Sequence, residues 1–561
     1  MAKRKLRSNV ETGSVFWAIR RAEWGVLGIT EEDMEKPKIA IVNASSDLGA
    51  CFAHLDGISL KMKEAIRMAG GVPFEVRTAA PVDFVTSLGH SGGYILSARD
   101  LIVNDIEVAV EGAMLDGMVC LVSCDKTIPG MLMAAGRLNI PTIVMACGYQ
   151  PSGKFRGEHI DIEDLWLNAA HRETGQKPFT ISDMREMSKN AILGPGACAG
   201  MGTANTMHVV CEALGMSLPG STPVLANSPK MWEVVRQAGE RIVEMVWEDL
   251  KPRDILTSEA FSNAVMTVLS VSGSINAVKH LQAVAIESQC NLDVYKLFEE
   301  YQDKIPLLSA VRPNGEYTVE EFDTAGGAIG LMKQLEKFLY TSAKTVTGKS
   351  LEENLKDITV TDNEIIRPVN RALAHRPSIV IVRGNLAPAT GIVKLAVADD
   401  RNLQFSGPAN VYNSSDEAVS AVLKGEVKPG QVVVLSGVGP KGTPGMGMAT
   451  PLVFALDGAE LSDKVAMVTD GQQSGLSNKG LVVNEVSPEA ADGGLLGLVE
   501  NGDIISIDVE KRVVNLEVPE SVLTERRSRL DNNLVSEERG WLQIYQRLVR
   551  PLPESGGVIV K

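Results

Sequence analysis

Cysteine is scarce in this 561-residue chain. The seven present (Cys51, Cys120, Cys124, Cys147, Cys198, Cys211 and Cys290) are an odd, sparse set, which excludes a disulfide framework. They are expected to stay reduced, as thiols or metal ligands. No apolar run approaches the roughly 18 residues needed to span a bilayer. Met1 to Arg7 is basic, but no apolar stretch follows as in a secretory leader, so a cytoplasmic protein without a membrane partner is expected. Excess positive charge is missing too: 55 lysines and arginines face 70 aspartates and glutamates, a net charge of -15 that repels nucleic acid. The histidines (His54, His90, His159, His171, His208, His280 and His375) form neither an HExxH nor a close metal pair, and no GxSxG elbow occurs.

What is present suffices for more than one core. At 44% apolar and 22% charged the chain has globular proportions, and its length exceeds the roughly 250–300 residues at which single cores stop growing. Lys38–Asn43, Val72–Val76, Met118–Ser123 and Thr142–Ala146 read as strands, alternating with helical patterns over His54–Met68, Ala98–Met114 and Gly130–Leu138. Such β-α-β units predict an α/β fold: a doubly wound parallel sheet with helices on both faces. Ligands then bind beyond the carboxyl ends of the strands, where Cys51 and Cys124 fall. Ser228 to Glu299 is mainly helical. Beyond Arg376-Pro377 the chain turns to short β-branched runs between Gly and Pro, which predicts a strand-rich C-terminal domain, a sandwich or β-barrel. The expected division is 1–375 and 376–561.

Three segments carry chemistry, and a fourth only resembles one that does. Ser123-Cys124-Asp125-Lys126 sets a soft thiolate, a hard carboxylate and an amine side by side at a strand end, so one turn could serve an iron site and a Mg²⁺ site. A core cysteine beside a surface ion pair is the plainer alternative. GPGACAGMGTANTM (Gly194 to Met207) places glycines around Cys198 before a helix over His208–Leu214, suited either to close ligand approach or to a structural loop. TDGQQSGLSNKG (Thr469 to Gly480) follows an apolar strand and carries Ser474, a nucleophile, a base beside a metal, or simply a turn residue. Gly437 to Gly442 matches GxGxxG, but Pro440 and the following Pro444 and glycines deny it the helix a dinucleotide site requires.

Taken together, CDKTIPGMLMAAGRLNIP (Cys124 to Pro141), GPGACAGMGTANTM with EALGMSLPGS, GSINAVKHL, TVTGKSLEEN, and TDGQQSG with NEVSPEAADGG resemble the dihydroxy-acid and sugar-acid dehydratase family, in order and over nearly the whole chain. The resemblance implies an iron-sulfur, Mg²⁺-dependent hydro-lyase that converts a 2,3-dihydroxy acid, of the 2,3-dihydroxy-isovalerate or aldonic type, into a 2-keto acid. It implies a 2Fe-2S cluster on Cys51, Cys124 and Cys198, and Mg²⁺ on Asp83, Asp125 and Lys126, the lysine as its carbamate. Ser474 matches the serine proposed to take the C2 proton, and a homodimer, or a tetramer as the larger assembly, is expected. Two departures stand out. Phe84 occupies a place usually held by glycine, and TPGMGMATP (Thr443 to Pro451) lacks the acidic residue of the family's PGM-x-E segment. That loss is also compatible with a degenerate relative acting as a binding or redox-sensing protein.

Overall fold

The computed structural model describes residues 4–395, 397, 401–529 and 538–558. Four short apolar runs, β1 (Lys38–Asn43), β2 (Val72–Arg77), β3 (Gly117–Val122) and β4 (Thr142–Ala146), form a parallel sheet in the order β2-β1-β3-β4. Every residue of β1, β3 and β4 is buried, as parallel strands covered on both faces require. Helices Leu55–Met68 and Pro229–Glu248 pack on each other, and Gly93–Ile106, Thr127–Leu138 and Asn276–Glu287 form a second group. Right-handed crossovers put these two groups on opposite faces of the sheet. The doubly wound expectation is therefore met. The Ala98–Met114 pattern is displaced: that helix begins at Gly93 and loosens into a π-turn over Glu107–Glu111.

A two-stranded hairpin follows, β5 (Gly153–Phe155) with β6 (Glu158–Ile160), and then the long helical stretch. Eight further strands form one sheet: β7 (Ile379–Val382), β8 (Thr390–Lys394), β9 (Gln404–Tyr412), β10 (Val432–Leu435), β11 (Ala466–Thr469), β12 (Leu481–Ser487), β13 (Ile504–Asp508) and β14 (Val513–Leu516). Its order is β14-β13-β9-β10-β11-β12-β8-β7, and Arg383 bridges the two edges by accepting from Val514 N (2.8 Å) and donating to Arg512 O (2.9 Å). Of the two predicted architectures it is the barrel, which leaves almost no free edge. Its centre is unlike an ordinary antiparallel barrel, because β9 to β12 run parallel. Parallel neighbours need crossovers, supplied by helices Ser415–Leu423 and Thr450–Gly458.

Barrel and helical layers interlock through buried polar ties. Lys394 on β8 donates to Ser272 O (2.8 Å) and Gly273 O (2.6 Å) ahead of helix Asn276–Glu287. The C-terminal segment returns to helix Gly93–Ile106, where the buried Arg99 donates to Gly556 O (2.9 Å) and Asp100 accepts from Val558 N (2.9 Å). Nearest the site, the loop after β10 lies backbone to backbone on the start of that helix. A Cβ on Gly445, at φ +87°, would sit 1.7 Å from the Gly93 carbonyl oxygen, so only glycine permits the approach. No helix among the described residues is long and apolar enough to cross a membrane.

Candidate active site

Both parallel regions point the carboxyl ends of their strands at one cavity of about 850 Å³. From the first sheet come Asp83, after β2, and Cys124, Asp125 and Lys126, after β3; from the barrel come Asn413 after β9, Met448 after β10 and Ser474 after β11. Cys198 completes the wall from the glycine-rich loop ahead of helix Thr203–Ala213.

Short backbone ties gather the three cysteine loops. Ser123 Oγ donates to Cys51 O (2.6 Å), Gly196 N to Ala50 O (3.1 Å), and Asn205 Nδ2 to Cys198 O (2.7 Å) and Gly200 O (2.8 Å). Cys51 lies off the cavity wall and joins the group through the Cys124 thiol, with which it shares a hydrogen bond. That shared bond, followed by burial, pushes the Cys124 thiol far up; burial and then the negative field of Cys124, Asp125 and Asp83 do the same to Cys198. Cys124, buried, and Cys198, half-buried, would each be deprotonated by a bound metal, and with the buried Cys51 they offer a donor set that would suit an iron-sulfur centre.

Beside the sulfurs, Lys126 Nζ lies 3.1 Å from Asp125 Oδ2 and 3.6 Å from Asp83 Oδ2. Burial drags the Lys126 ammonium down, but the Asp125 and Asp83 carboxylates outweigh it and hold it above the usual lysine range. Asp83 is pushed up to about 8, chiefly by burial, with the Asp125 charge adding to it against Lys126. Asp83 Oδ1 is buried without a hydrogen-bond partner. Two hard oxygen donors, one of them orphaned, fit a divalent cation, which the amine resists unless its own charge is removed. Where the family's acidic residue is absent, Met448 lines the wall with a thioether, a poor ligand for a hard cation.

Ser474 sits in the β11–β12 connection. Its amide donates to Thr450 Oγ1 (2.7 Å), and its Oγ accepts from Leu476 N (3.2 Å), so a backbone dipole already faces the oxygen that a proton-abstracting serine would use. Gln473 holds the turn through Nε2 to Ser477 O (2.7 Å) and receives Asn484 Nδ2 (3.0 Å). The predicted residues Cys124, Cys198, Asp83, Asp125, Lys126 and Ser474 therefore share one cavity, with Cys51 behind them.

Sequence reasoning assigned no role to Asn276, Thr203 or the cavity's aromatic flank. Asn276 stands in GSINAVKHL, a segment singled out without a function, and that segment was the available signal. The flank had only Phe84, noted as a departure from glycine: it meets Trp166 edge-on (5.3 Å, 82°), and Trp166 meets Phe454 likewise (5.2 Å, 88°), across three distant segments.

The GxGxxG match is spent on the protein's own acids. Gly437 N and Val438 N donate to Asp470 (3.1 and 3.0 Å), and Lys441 N and Gly442 N to Glu489 (both 2.9 Å), which leaves no room for a phosphate. Burial raises Asp470 to about 6 and Glu489 to about 8. An acid raised on folding favours the native state fully below its unfolded pKa and loses that contribution as pH climbs through the folded one. Glu489→Gln should therefore melt progressively higher relative to the unmodified protein between pH 5 and 9, as followed by thermal denaturation. A pH-independent difference would contradict the buried-acid assignment. His159 Nε2 meets Asp161 (3.0 Å), with Asp164 close by, but Arg312 pairs with Asp164 (2.6 Å), so this group is already neutralised.

A sheet-and-barrel cavity combining grouped thiols, carboxylates and a serine has the equipment of a hydro-lyase. Family models described as "Dihydroxy-acid/6-phosphogluconate dehydratase" match the chain twice, the N-terminal one over residues 36–354 and the C-terminal one over 364–556. Proteins named dihydroxy-acid dehydratase are similar along their whole length. The one from Methanosarcina barkeri is 39% identical over 99% of this chain and 100% of its own. Those from Caldicellulosiruptor saccharolyticus and Pyrococcus abyssi are each 38% identical over 97% of this chain and 98% of theirs. The chain belongs to the dihydroxy-acid/6-phosphogluconate dehydratase family and is a dehydratase.

Proposed function

We propose that the protein removes water from a 2,3-dihydroxy carboxylic acid to give the 2-keto acid. Cys51, Cys124 and Cys198 would hold a 2Fe-2S cluster, and Asp83, Asp125 and carbamylated Lys126 would hold Mg²⁺. The observation that carries this is the convergence of Asp83, Cys124 to Lys126, Cys198 and Ser474, from four separate stretches of chain, on one cavity, with Cys51 from a fifth behind Cys124. When bound, the two metal centres supply Lewis acidity toward the departing hydroxyl and toward the carboxylate and C2 oxygen. Ser474 Oγ takes the C2 proton, and the Leu476 amide stabilises the charge it carries. The proton taken from C2 leaves with the C3 hydroxyl as water, and the resulting enol loses its hydroxyl proton and gains one at C3 to become the keto acid. Carbon dioxide on Lys126 turns a cation between two carboxylates into a third anionic donor.

The substrate is read from the wall beside the reacting groups. Phe84 next to Asp83, Leu476 next to Ser474, and Ile162, Leu165 and Trp166 form an apolar surface that fits a compact branched carbon chain of the 2,3-dihydroxy-isovalerate type. Hydroxyls of an aldonic acid would turn instead to the polar lining, Asn413 to Asp416 together with Thr203, Asn276, Gln472 and Gln473. The division near residue 375 is read as the domain boundary, since the barrel's first strand starts at Ile379. A homodimer, with a tetramer as the larger assembly, is supported by helix Val15–Val26, which buries none of its residues and exposes Val15, Phe16 and Val26.

Met448 favours a second reading, in which the site has lost its cation affinity and the protein binds or senses without turnover. One assay separates the two. Protein purified without oxygen should show visible iron-sulfur absorption and form keto acid from a panel of dihydroxy acids only with Mg²⁺ present, at least tenfold faster from the branched acid than from aldonic acids. No product from any substrate would establish the second reading.

A further inference from the structure

Behind the Ser474 turn lies an ion pair in which both side chains are fully buried: Lys279, on helix Asn276–Glu287, and Glu485, on β12. Burying two charges costs more than it returns unless further hydrogen bonds satisfy them, so such a pair is weak evidence of stability and invites a specific role. Three observations supply one. First, β12 shifts register after Asn484, and Glu485 sits at φ +55°, a strained conformation for a non-glycine residue, which re-aims a side chain out of the ladder. Second, Lys279 Nζ also donates to Asn276 Oδ1, which fixes the orientation of that amide. Third, the amide's Nδ2 then donates to Thr203 Oγ1 (3.0 Å) and Gln473 O (3.0 Å), the carbonyl next to Ser474. Asn276, Thr203, Gln473 and Ser474 all line the cavity.

We infer that Lys279, paired with Glu485, is a positioning residue that holds the Ser474 turn in place through Asn276. Without the lysine, the Asn276 amide loses the donor that orients it, and the grip on Gln473 O and Thr203 loosens with it. Lys279 does not itself line the cavity and meets it only through Asn276, so its effect falls on rate and not on binding. This rests on the proposed role of Ser474.

The test uses Lys279→Met with Glu485→Leu, an apolar replacement that leaves no unpaired charge. In the metal-free full-length protein, amide exchange of residues 473–477 is expected to quicken at least tenfold. In the loaded enzyme kcat should fall about 10- to 100-fold, with KM within twofold of the original. Adding Asn276→Ala to this background should cost nothing further. Unchanged exchange, or an additive loss from Asn276→Ala, would overturn the inference. Should the apolar pair fail to fold, Asn276→Asp keeps the acceptor for Lys279 and removes both donors; it should show the same faster exchange and lower kcat, and normal values would overturn the inference. If the unmodified enzyme turns over no dihydroxy acid, the proposed function fails, while the exchange measurement still decides this point.

Discussion

Cys124→Ser is expected to abolish the visible iron-sulfur absorption and reduce dehydration below detection. Cys124 is the central thiol of the group: Cys51 reaches the cavity only through it, and Cys198 feels its field across the wall. Serine is nearly the same size, so the loop should survive, held by Thr127 Oγ1 donating to Cys124 O (2.8 Å). The hydroxyl is, however, a harder and far less acidic donor than a thiol, and one of only three protein ligands would be lost. Cys290→Ser is the matched control, a half-buried cysteine away from the cavity, and it should keep both absorption and rate. A Cys124→Ser protein with full absorption and turnover would disprove the ligand assignment, and loss in both variants would point to general instability.

How much of this was legible beforehand depended on the range of the interaction. β1, β3 and β4 declare themselves in KIAIVN, MVCLV and TIVMA, because fully buried parallel strands are short, continuous apolar runs, and the half-buried edge strand β2 in the shorter run VPFEV. The site at their carboxyl ends followed from the same pattern, and motif resemblance named its residues. What stayed hidden was set by contacts between distant segments. The parallel centre of the barrel depends on β9 to β12 pairing across crossover helices, and a run such as QVVVL looks alike in either direction. The helix Ser415–Leu423 that makes this crossover lies between the strand-like runs and receives no assignment of its own from the sequence. The Phe84–Trp166–Phe454 stack and the Lys279–Glu485 pair likewise join residues far apart in the chain, and neither leaves a periodic trace. The acids that fill the Gly437–Gly442 loop belong to the same class: the misplaced prolines argued against a nucleotide, but only Asp470 and Glu489 show what took its place.

Ser474→Ala isolates the proton-transfer step. The substitution removes one oxygen, and with it the acceptor of the Leu476 amide, from a turn still held by Thr450 Oγ1 on the Ser474 amide and by Gln473 and Ser477 on either side. Alanine should therefore sit where serine sat, and Cys51, Cys124 and Cys198, on loops of the other sheet, should keep the iron-sulfur absorption unchanged. Loss of a positioned proton acceptor typically costs about 10²- to 10⁴-fold in rate. The fall should appear in kcat, with KM nearly constant, because in the proposed mechanism the substrate would be held by the Asp83–Asp125 side of the cavity and its apolar wall. A deuterium label at C2 makes the assignment specific. In the alanine variant exchange of that label with solvent should vanish along with turnover, whereas a variant that still exchanges C2 at the original rate would move the base to another residue. Thr203 is the neighbour to test in that event: it lines the same cavity, and its Oγ1 receives the Asn276 amide and meets Ser274 Oγ at 3.1 Å.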